Sequence, residues 1–500
     1  MPEIESERAD HISQTTELQS QIDRAFASPE WRVGNFLWSR LGLSRIALPA
    51  VKRLRSFRDW KNRCAFSLAR ATRRRPAARH QVIVASTWNF PIYFHTFVYQ
   101  EMDALRSAGC DVRLFCWKKG DRRDQHPGFR DLLRNRVVIQ NDWHIHQQSL
   151  AHFRRTRPER VRTLLERLAE DTGLSVERLM QDPVVVAGFT FTRYVELAEA
   201  DYLHSYFFYD QSLMAMMAAY LLGIPRGITA YADHMLHDYH LKCVRLHLEL
   251  ADLIVATSRR IREELSAIGG GRFDSKILVK PNGIDLSRFP YVNPAERPER
   301  GGDPELIAVN RIEPKKGLVY LLEAIRILMD RGVGVRLHLV GSVDPYNRTS
   351  RAYAAELEAR VRELGIADRV VMHGVKQQPE VVALLARSRI FVAPYIEVAS
   401  GDKDGIPTAI LEAMATGLPI VTTDAGSILE AVTDGAEAIC VPQRDPVRLA
   451  EAIERLLRDP ALCSQIGKAG RRRVEAEFSV DVTERRLHER IKILLSRSGT

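Results

Sequence analysis

The sequence predicts an α/β protein built from two consecutive doubly wound parallel sheets. Short apolar strands alternate with helical stretches along most of the chain, this alternation runs twice, and a polar segment separates the two runs. Strands that alternate with helices pair in parallel through right-handed crossovers. The length of 500 residues also exceeds what one hydrophobic core usually supports. We therefore expect two domains that face an inter-domain cleft, because such sheets bind ligands at their carboxyl edges.

The first domain is predicted over residues 81–291. It opens with the strand QVIVAS, a helix that ends at Gly109 and the strand DVRLFCW, which together make a β-α-β unit. Charged periodic stretches predict a helical insertion over residues 150–200. The other elements are, in chain order, a strand at 202–205, a helix over 210–222, the strand GITAYA, a helix over 240–250, the strand DLIVATS, a helix over 258–267 and the strand KILVKPNGID.

The second domain is predicted over residues 305–480. Residues 292–304 precede it and are rich in Pro, Gly and charge without apolar periodicity, which predicts a linker. A C-terminal helix is expected over 481–500, and it can cross back to the first domain. The other elements are, in chain order, the strand ELIAVNR, the helix GLVYLLEAIRILMDRG, the strand VRLHLVG, a helix over 350–364, the strand RVVMHG, the helix PEVVALLARS, the strand RIFVAPY and a helix over 446–458.

Positive charge is concentrated in the predicted extension, residues 1–80. The chain carries +10 overall, yet residues 31–80 hold 14 Lys and Arg against the single acid Asp59, a local charge of +13. Trp and Leu lie among these cations, which suits an amphipathic element on anionic lipid. A helical pair that packs on the first domain with a solvated basic face is an alternative. Nucleic acid is not expected as a partner, because no recognised binding module accompanies the charge.

The remaining composition indicates a cytoplasmic protein. No stretch approaches the ~18 uninterrupted apolar residues of a spanning helix. The acidic, polar start MPEIESERADHISQ does not fit a signal peptide. The six cysteines are scattered without a CxxC pair, which predicts reduced and buried thiols.

The stretch SGDKDGIPTAILEAMATGLPIVTT (400–423) combines a helix start with two carboxylates. Pro407 suits the start of a helix, so the amides of the next residues, 408–410, face outward at the positive end of the helix dipole and can bind a phosphate. Asp404 lies in the loop before the helix and Glu412 one turn inside it. Both are suited to accept hydrogen bonds from hydroxyls on either side of that phosphate. Taken alone, the pair also fits a loop acid and a solvated helix acid.

A second element, NRIEPKKGLVYLLEAI, places Arg311 and Lys316 in the loop that leaves the first strand of the second domain. Loops at the carboxyl ends of parallel strands share one edge of the sheet, so both cations can reach a diphosphate there. Either cation alone could equally be a solvated surface residue.

Together with KPNGIDLSRF, RVVMHG, RIFVAPY and GLPIVTTDAGSILEAV, these loops resemble the retaining nucleotide-sugar glycosyltransferases of family four (glycosyl transferases group 1), which have the GT-B fold of two Rossmann-like domains. NFPIYFHTFVYQEMDAL and HSYFFYDQSLMAMMAAYLLGIPRGITAYADH resemble the exopolysaccharide and colanic-acid subgroup. The resemblance covers roughly residues 82–490. It implies a hexosyltransferase that moves a sugar, with retention, from a nucleoside-diphosphate donor to a lipid-linked or oligosaccharide acceptor in polysaccharide biosynthesis. The enzyme would lie peripherally at the inner face of the cytoplasmic membrane.

The resemblance also implies a donor site in the second domain, made of Arg311, Lys316, Asp404, Thr408, Ala409 and Glu412. The two cations and the two helix amides would bind the diphosphate. Asp404 would hold the transferred sugar, as a catalytic candidate, and Glu412 would hold the ribose. Most members have Glu where this chain has Asp404, which leaves the identity of the donor sugar open.

The family usually has a histidine two residues after the threonine of GITAYADH, where this chain has Tyr231. Tyr231 could hydrogen-bond a sugar hydroxyl, but a phenol is a poor proton shuttle near neutral pH. His234 is the other catalytic candidate, if the loop shifts, although local hydrogen bonds could equally account for it. The candidates for the acceptor side are His95, Glu101 and His204.

Asp402-Lys403-Asp404 spells D-x-D, the metal–diphosphate signature of the other major glycosyltransferase fold. Because Arg311, Lys316 and a helix end already supply positive charge, we expect neither a metal nor a cofactor. Two rival functions stay open. One is a nucleotide-sugar epimerase or phosphorylase of the same fold. The other is a non-catalytic scaffold that binds a partner glycosyltransferase or a nucleic acid.

Overall fold

The computed structural model describes residues 81–90, 96–119, 136–139, 141–231, 243–297, 302–344 and 347–498, and the single positions 132, 236 and 241. The predicted extension over residues 1–80 lies outside the described residues, as do the candidates His95 and His234. The predicted membrane contact through residues 31–80 therefore also lies outside the described residues.

The described chain forms two compact units. The first comprises the described residues up to Thr96 together with 106–206 and 210–226. The second comprises 97–105, 207–209 and the chain from Gly227 onward, so it includes the last strands of the first sheet. The domain bounds inferred from the sequence stay predictions.

The first sheet has seven strands in the order β3-β2-β1-β4-β5-β6-β7. Strand β1 pairs in parallel with β2 and with β4, so the strand order reverses beside β1. The elements of this part are, in chain order, β1 (Val82–Phe90), α1 (Thr96–Ser107), β2 (Asp111–Lys119), β3 (Val137–Val138), α2 (Trp143–Thr156), α3 (Pro158–Thr172), α4 (Val176–Leu179), α5 (Pro183–Leu197), β4 (Tyr202–Tyr206), α6 (Asp210–Leu222), β5 (Arg226–Ala230), α7 (Val244–Leu250), β6 (Leu253–Ala256), α8 (Arg259–Gly269) and β7 (Ile277–Val279).

The second sheet has six strands in the order β10-β9-β8-β11-β12-β13, which is the doubly wound Rossmann order. Its elements are, in chain order, β8 (Glu305–Val309), α9 (Leu318–Asp330), β9 (Arg336–Val340), α10 (Arg348–Glu363), β10 (Val370–Gly374), α11 (Gln378–Arg387), β11 (Ile390–Ala393), α12 (Thr408–Ala415), β12 (Ile420–Thr423), α13 (Ile428–Ala431), β13 (Ile439–Val441), α14 (Pro446–Arg458), α15 (Pro460–Arg473) and α16 (Val480–Ser498). The predicted α/β class with two doubly wound parallel sheets is confirmed.

Apart from the edge strand β10, whose Met372 is exposed, the strands of the second sheet are largely buried on both faces, which explains their continuous apolar sequences. Along β8, Leu306 and Ala308 belong to one core cluster, whereas Ile307 belongs to the other. Because successive side chains of a strand point to opposite faces, each of these buried strands contributes to both cores. Helices therefore cover both faces, and the loops at the strand ends carry the polar groups.

The predicted helical insertion consists of α2 to α5. Asp142 and Asp182 cap α2 and α5 with side-chain hydrogen bonds to backbone amides, and Gly173 ends α3 in the left-handed conformation. Helix α5 is apolar on nearly all sides and is buried against α6, where Gly188 meets Met217. The insertion is therefore a packed layer of the first unit.

Among the elements of the second sheet region that had no counterpart in the sequence interpretation are α15 and β13. Helix α15 carries Gly467 and Gly470, which lower helix propensity and hide its pattern. The structure explains the first glycine, because a Cβ at Gly467 would lie 2.3 Å from the carbonyl oxygen of Gly417. Strand β13 is only three residues long, too short for periodicity to reveal.

The predicted linker is partly folded structure. Residues 294–296 form a 3₁₀ turn, and the buried guanidinium of Arg297 donates to the carbonyls of Leu385, Ala386, Ser388 and Thr416. Its charge and proline content suggested a solvated connection, but these four carbonyl bonds fix its first half onto the second sheet region.

The C-terminal helix α16 is anchored by a buried ion-pair cluster. The Lys280 ammonium lies 2.7 Å from Glu484 of α16 and 3.0 Å from Glu101 of α1. Gly283 also packs closely against α16, because a Cβ at that position would lie 2.4 Å from the hydroxyl oxygen of Thr483. The helix thus packs on the chain segment that follows β7, and Glu101 is part of its anchor.

Among the described residues, none of the helices combines the length and the apolar content that crossing a bilayer requires. Four of the five described cysteines are buried: Cys110, Cys116, Cys243 and Cys463. The sixth, Cys64, lies in the part of the chain outside the description.

Candidate active site

The loop with the predicted phosphate cations follows β8 at the point where the strand order of the second sheet reverses. Strand β8 pairs with β9 on one side and with β11 on the other. Residues 314–316 form a 3₁₀ turn that ends at Gly317 with φ +61°. A Cβ at Gly317 would lie 1.9 Å from the Pro394 carbonyl oxygen, so only glycine lets this loop approach the end of β11.

The structure brings the two predicted loops together through lysine–aspartate pairs. The Lys316 ammonium lies 2.7 Å from Asp404 Oδ2, although the two residues are 88 positions apart. Its neighbour Lys315 lies 3.0 Å from Asp402 and 3.8 Å from Asp404. Each acid of the D-x-D sequence therefore has a lysine counter-ion.

Arg311 completes this ion-pair arrangement at the more exposed end. Its guanidinium lies 2.6 Å from Glu313, whose other oxygen lies 4.0 Å from Lys315. The Arg311 side chain is 40% exposed, whereas both lysines are buried. Arg311 is thus the most exposed of the three cations Arg311, Lys315 and Lys316.

Burial and the neighbouring charges set the protonation states here. Burial lowers the pKa of Lys316, and the attraction of Asp404 only partly offsets this. Burial by itself would raise the pKa of Asp404, but Lys316 and Lys315 outweigh it and hold the pKa below its usual value. The Lys316 ammonium also lies 4.3 Å from the ring centre of Tyr395, whose hydroxyl donates to Asn310. The ion pair is therefore held in place on two sides.

Helix α12 begins in this region with open amides. Pro407 is its N-cap residue and provides no side-chain bond to the first turn. In the described part of the chain, no acceptor occupies the amides of Thr408 and Ala409, whereas the Ile410 amide donates to the Pro407 carbonyl. The expectation of open amides thus fails at Ile410, because the first turn is tight. Two amides remain to bind an anion.

Glu412 lies within helix α12, and burial raises the pKa of its carboxyl to about 7. Burial raises the pKa of the Tyr395 phenol well above its ordinary value, and the charges of Asp404 and Glu412 add to this effect, so the three groups share one environment. A carboxyl without a strong counter-ion can accept hydroxyl groups of a ligand.

Tyr231 lies inside an aromatic cluster. Its ring centre is 4.5 Å from that of Phe97 and 4.5 Å from that of Phe207. The phenol hydrogen-bonds Thr229, and burial raises its pKa well above the ordinary value, with Glu101 adding to the effect. The catalytic role of Tyr231 stays a prediction, and its ring is half-buried by this packing.

The acceptor-side candidates that the structure describes are buried. Glu101 is 1% exposed and pairs with Lys280, and His204 is 1% exposed within β4, where its Nδ1 meets the Tyr202 hydroxyl at 3.1 Å. These contacts are with protein groups, so their proposed contact with an acceptor stays a prediction.

Sequence reasoning missed several contributors. Lys315 stands beside Lys316, and only the structure shows that it holds Asp402. Tyr395 follows an apolar strand and gave no signal. Glu313 lies between Arg311 and Lys315, and no motif in the sequence indicated this role. Within the described chain there is no group of three or more His, Cys, Asp or Glu side chains that could hold a metal.

Comparison with known families identifies both halves of the chain. Residues 292–473 match the family described as glycosyl transferases group 1. Residues 94–283 match the glycosyl transferase 4-like domain. The loops described above lie within the first of these matches.

Curated relatives extend the match over most of the chain. WcaL of Escherichia coli K12, provisionally named a colanic acid biosynthesis glycosyltransferase, is 27% identical over 81% of this chain and 98% of its own length. The amylovoran biosynthesis glycosyltransferase AmsK of Erwinia amylovora is 25% identical over 81% of this chain and 97% of its own length.

Solved structures share the fold at low sequence identity. HepE of Anabaena in complex with UDP has a TM-score of 0.63 and 15% identity over 82% of this chain and 99% of its own. Sucrose-phosphate synthase of Thermosynechococcus elongatus has a TM-score of 0.62 and 19% identity over 84% of this chain and 100% of its own. These likenesses establish the GT-B fold.

Proposed function

Because the chain belongs to the group 1 glycosyltransferases, we propose that it transfers a hexose from a nucleoside-diphosphate sugar to a lipid-linked or oligosaccharide acceptor. The names of WcaL and AmsK support a role in the synthesis of an exopolysaccharide or another cell-surface glycan. We propose that transfer retains the anomeric configuration of the sugar.

One observation carries this proposal: Arg311, Lys316 and the open start of helix α12 belong to loops at adjacent strand ends of the second sheet, where its strand order reverses. Doubly wound sheets bind nucleotides at this position. Two cations and two helix amides match the charge and the acceptor oxygens of a diphosphate.

The proposed chemistry depends on binding the leaving group. As the bond from the sugar C1 to the diphosphate breaks, negative charge develops on the departing oxygen and a new C1–O bond forms to an acceptor hydroxyl. The proton of that hydroxyl would pass to the departing diphosphate oxygen. Arg311 and Lys316 would stabilise that charge, and Asp404 would hold the sugar hydroxyls in position. Glu412 would hold the ribose.

We propose that the reaction needs no metal or cofactor. The acids that could bind a cation, Asp402 and Asp404, are already paired with Lys315 and Lys316. Turnover in a chelator such as EDTA should match turnover with added Mg²⁺ or Mn²⁺ within about twofold. A strict requirement for either cation would contradict the proposal.

We also propose that residues 31–80 hold the enzyme peripherally at the inner face of the cytoplasmic membrane, with no contact to nucleic acid. The local charge of +13 and the interspersed Trp and Leu residues support this. Deletion of residues 31–80 should abolish binding to anionic liposomes in low salt. Unchanged liposome binding would refute the proposal.

The decisive experiment is a panel of UDP-, GDP- and ADP-sugars tested for thermal stabilisation and then for acceptor-dependent release of nucleotide. Release only when an acceptor is present supports transfer, whereas conversion of the donor sugar without acceptor would support an epimerase. Nucleotide binding without transfer or hydrolysis would support the non-catalytic scaffold.

A further inference from the structure

The loop that carries Asp404 is supported from behind by the segment that follows β6. The Asp404 carbonyl accepts hydrogen bonds from the Arg260 guanidinium at 3.2 Å and from the Ser427 amide at 3.3 Å. A Cβ at Gly426, where φ is +59°, would lie 2.1 Å from the same carbonyl oxygen. The backbone of Asp404 is thus closely held, while Lys316 holds its carboxylate.

Arg260 is itself fixed by a polar network. Its Nε donates to the Ser427 hydroxyl at 3.1 Å, and that hydroxyl lies 3.0 Å from Ser258, the N-cap residue of helix α8. The Glu430 carboxylate accepts the backbone amides of Arg259 at 2.6 Å and Arg260 at 3.0 Å. A carboxylate on the first amides of a helix makes charge-assisted bonds that the helix dipole strengthens.

Packing reinforces the same contact. A Cβ at Gly405 would lie 3.3 Å from the Tyr231 carbonyl oxygen, 3.8 Å from Ile261 and 4.0 Å from Thr257. The residue after Asp404 therefore rests on the ends of β5 and β6 and on the start of α8. A shift of this segment would move the Asp404 backbone with it.

We propose that Arg260 and Glu430 are positioning residues that set the direction of the Asp404 carboxylate toward the donor sugar. Glu430 fixes the start of α8, the helix start fixes Arg260, and Arg260 holds the Asp404 carbonyl. This inference rests on the proposed function, because it takes Asp404 to contact the sugar. A displacement of about 1 Å at such a group can lower the rate about a hundredfold.

The test compares Arg260→Ala, Arg260→Lys and Glu430→Gln with Arg262→Ala, a control on the exposed side of the same helix. Arg260→Ala should lower kcat/KM for the donor roughly ten- to a hundredfold and leave the acceptor KM within about twofold. Arg260→Lys should recover only part of the loss. A lysine keeps the positive charge, but its ammonium group cannot bond Ser427 and Asp404 together as the planar guanidinium does. Glu430→Gln should cause a smaller loss, and Arg262→Ala none.

Binding of the free nucleoside diphosphate separates positioning from a merely structural role. Its affinity should stay within about twofold of wild type in Arg260→Ala, because Arg311, Lys316 and the α12 amides bind the phosphates. Parallel losses of nucleotide affinity, acceptor KM and thermal stability would overturn the inference, as would unchanged donor kinetics. If Lys316→Ala and Asp404→Asn also leave turnover unchanged, the proposed function itself fails. If those two abolish turnover while Arg260→Ala is silent, only the positioning role fails.

Discussion

Two buried lysines of this protein make similar contacts in different surroundings. Lys316 at the candidate site and Lys280 beneath the C-terminal helix are 7% and 3% exposed, and each lies 2.7 Å from a carboxylate. Lys280 has a second carboxylate, Glu101, at 3.0 Å. The pKa of Lys316 also responds to two further cations, Arg311 and Lys315.

The pKa directions differ accordingly. Burial by itself would lower the pKa of both lysines. At Lys280, Glu484 and Glu101 outweigh burial and raise the pKa, whereas at Lys316 the single acid Asp404 does not. The charge of Lys280 is balanced by two close carboxylates. Lys316 has one close carboxylate, and two neighbouring cations lower its pKa further. Under the proposed function, the diphosphate of the donor would supply further negative charge near Lys316.

The largest effect on stability is expected at Lys280. Lys280→Met leaves Glu101 and Glu484 facing each other in the interior, so the free energy of unfolding should fall by about 3–5 kcal/mol. Urea denaturation measures this, with Lys468→Met on the exposed side of α15 as the control. A loss as small as that of the control would mean that the buried cluster does not anchor α16.

Lys316 should show the opposite behaviour. Lys316→Ala should lower kcat roughly a hundred- to a thousandfold, because the charge of the departing diphosphate loses a partner. The melting temperature should change by only a few degrees, since Lys315 remains 3.8 Å from Asp404. A stable variant with near-normal turnover would remove the distinction between the two lysines.

The sequence predicted the Lys316 side of this comparison but not the Lys280 side. The alternation of strands and helices predicted both sheets, and the spacing of Arg311 and Lys316 before a helix predicted the cationic loop. The burial of Lys280 was not readable, because its partners Glu101 and Glu484 are distant in the chain and belong to ordinary helical patterns. Arg260 and Glu430 were missed for a similar reason, because a hydrogen bond from a side chain to a distant backbone atom produces no sequence motif.

Glu412 gives a pH-dependent prediction of intermediate size. Burial raises the pKa of its carboxyl to about 7, and the ionised form is the better acceptor of ribose hydroxyls. Donor affinity should therefore rise as pH increases through about 7, and Glu412→Gln should flatten the profile. Titration calorimetry across this range measures the change, and an unaltered profile in the variant would refute the ribose contact.

The free energy of unfolding should respond to Glu412 in the opposite direction. The unfolded carboxyl loses its proton near its ordinary value of about 4.5, before the folded one does at about 7. The stabilising contribution of this group is thus present below the lower value and is lost as pH rises through the higher one. Glu412→Gln should remove this slope in denaturation measured across the same range.

The smallest effect is expected at Tyr231. Tyr231→Phe removes the bond to Thr229 but keeps the ring between Phe97 and Phe207, so stability should fall by about 1 kcal/mol. We expect kcat to stay within about threefold of wild type. A much larger fall in kcat at normal stability would show that the phenol contacts the transferred sugar.

The most direct test of the diphosphate site is the affinity of the double variant Arg311→Ala/Lys316→Ala for the nucleoside-diphosphate sugar that wild type selects from the donor panel. Removal of both cations should weaken binding by roughly a hundredfold or more, while the control Arg448→Ala on the surface of α14 leaves it unchanged. Double-variant affinity within about twofold of wild type would contradict the assignment of these loops to the donor.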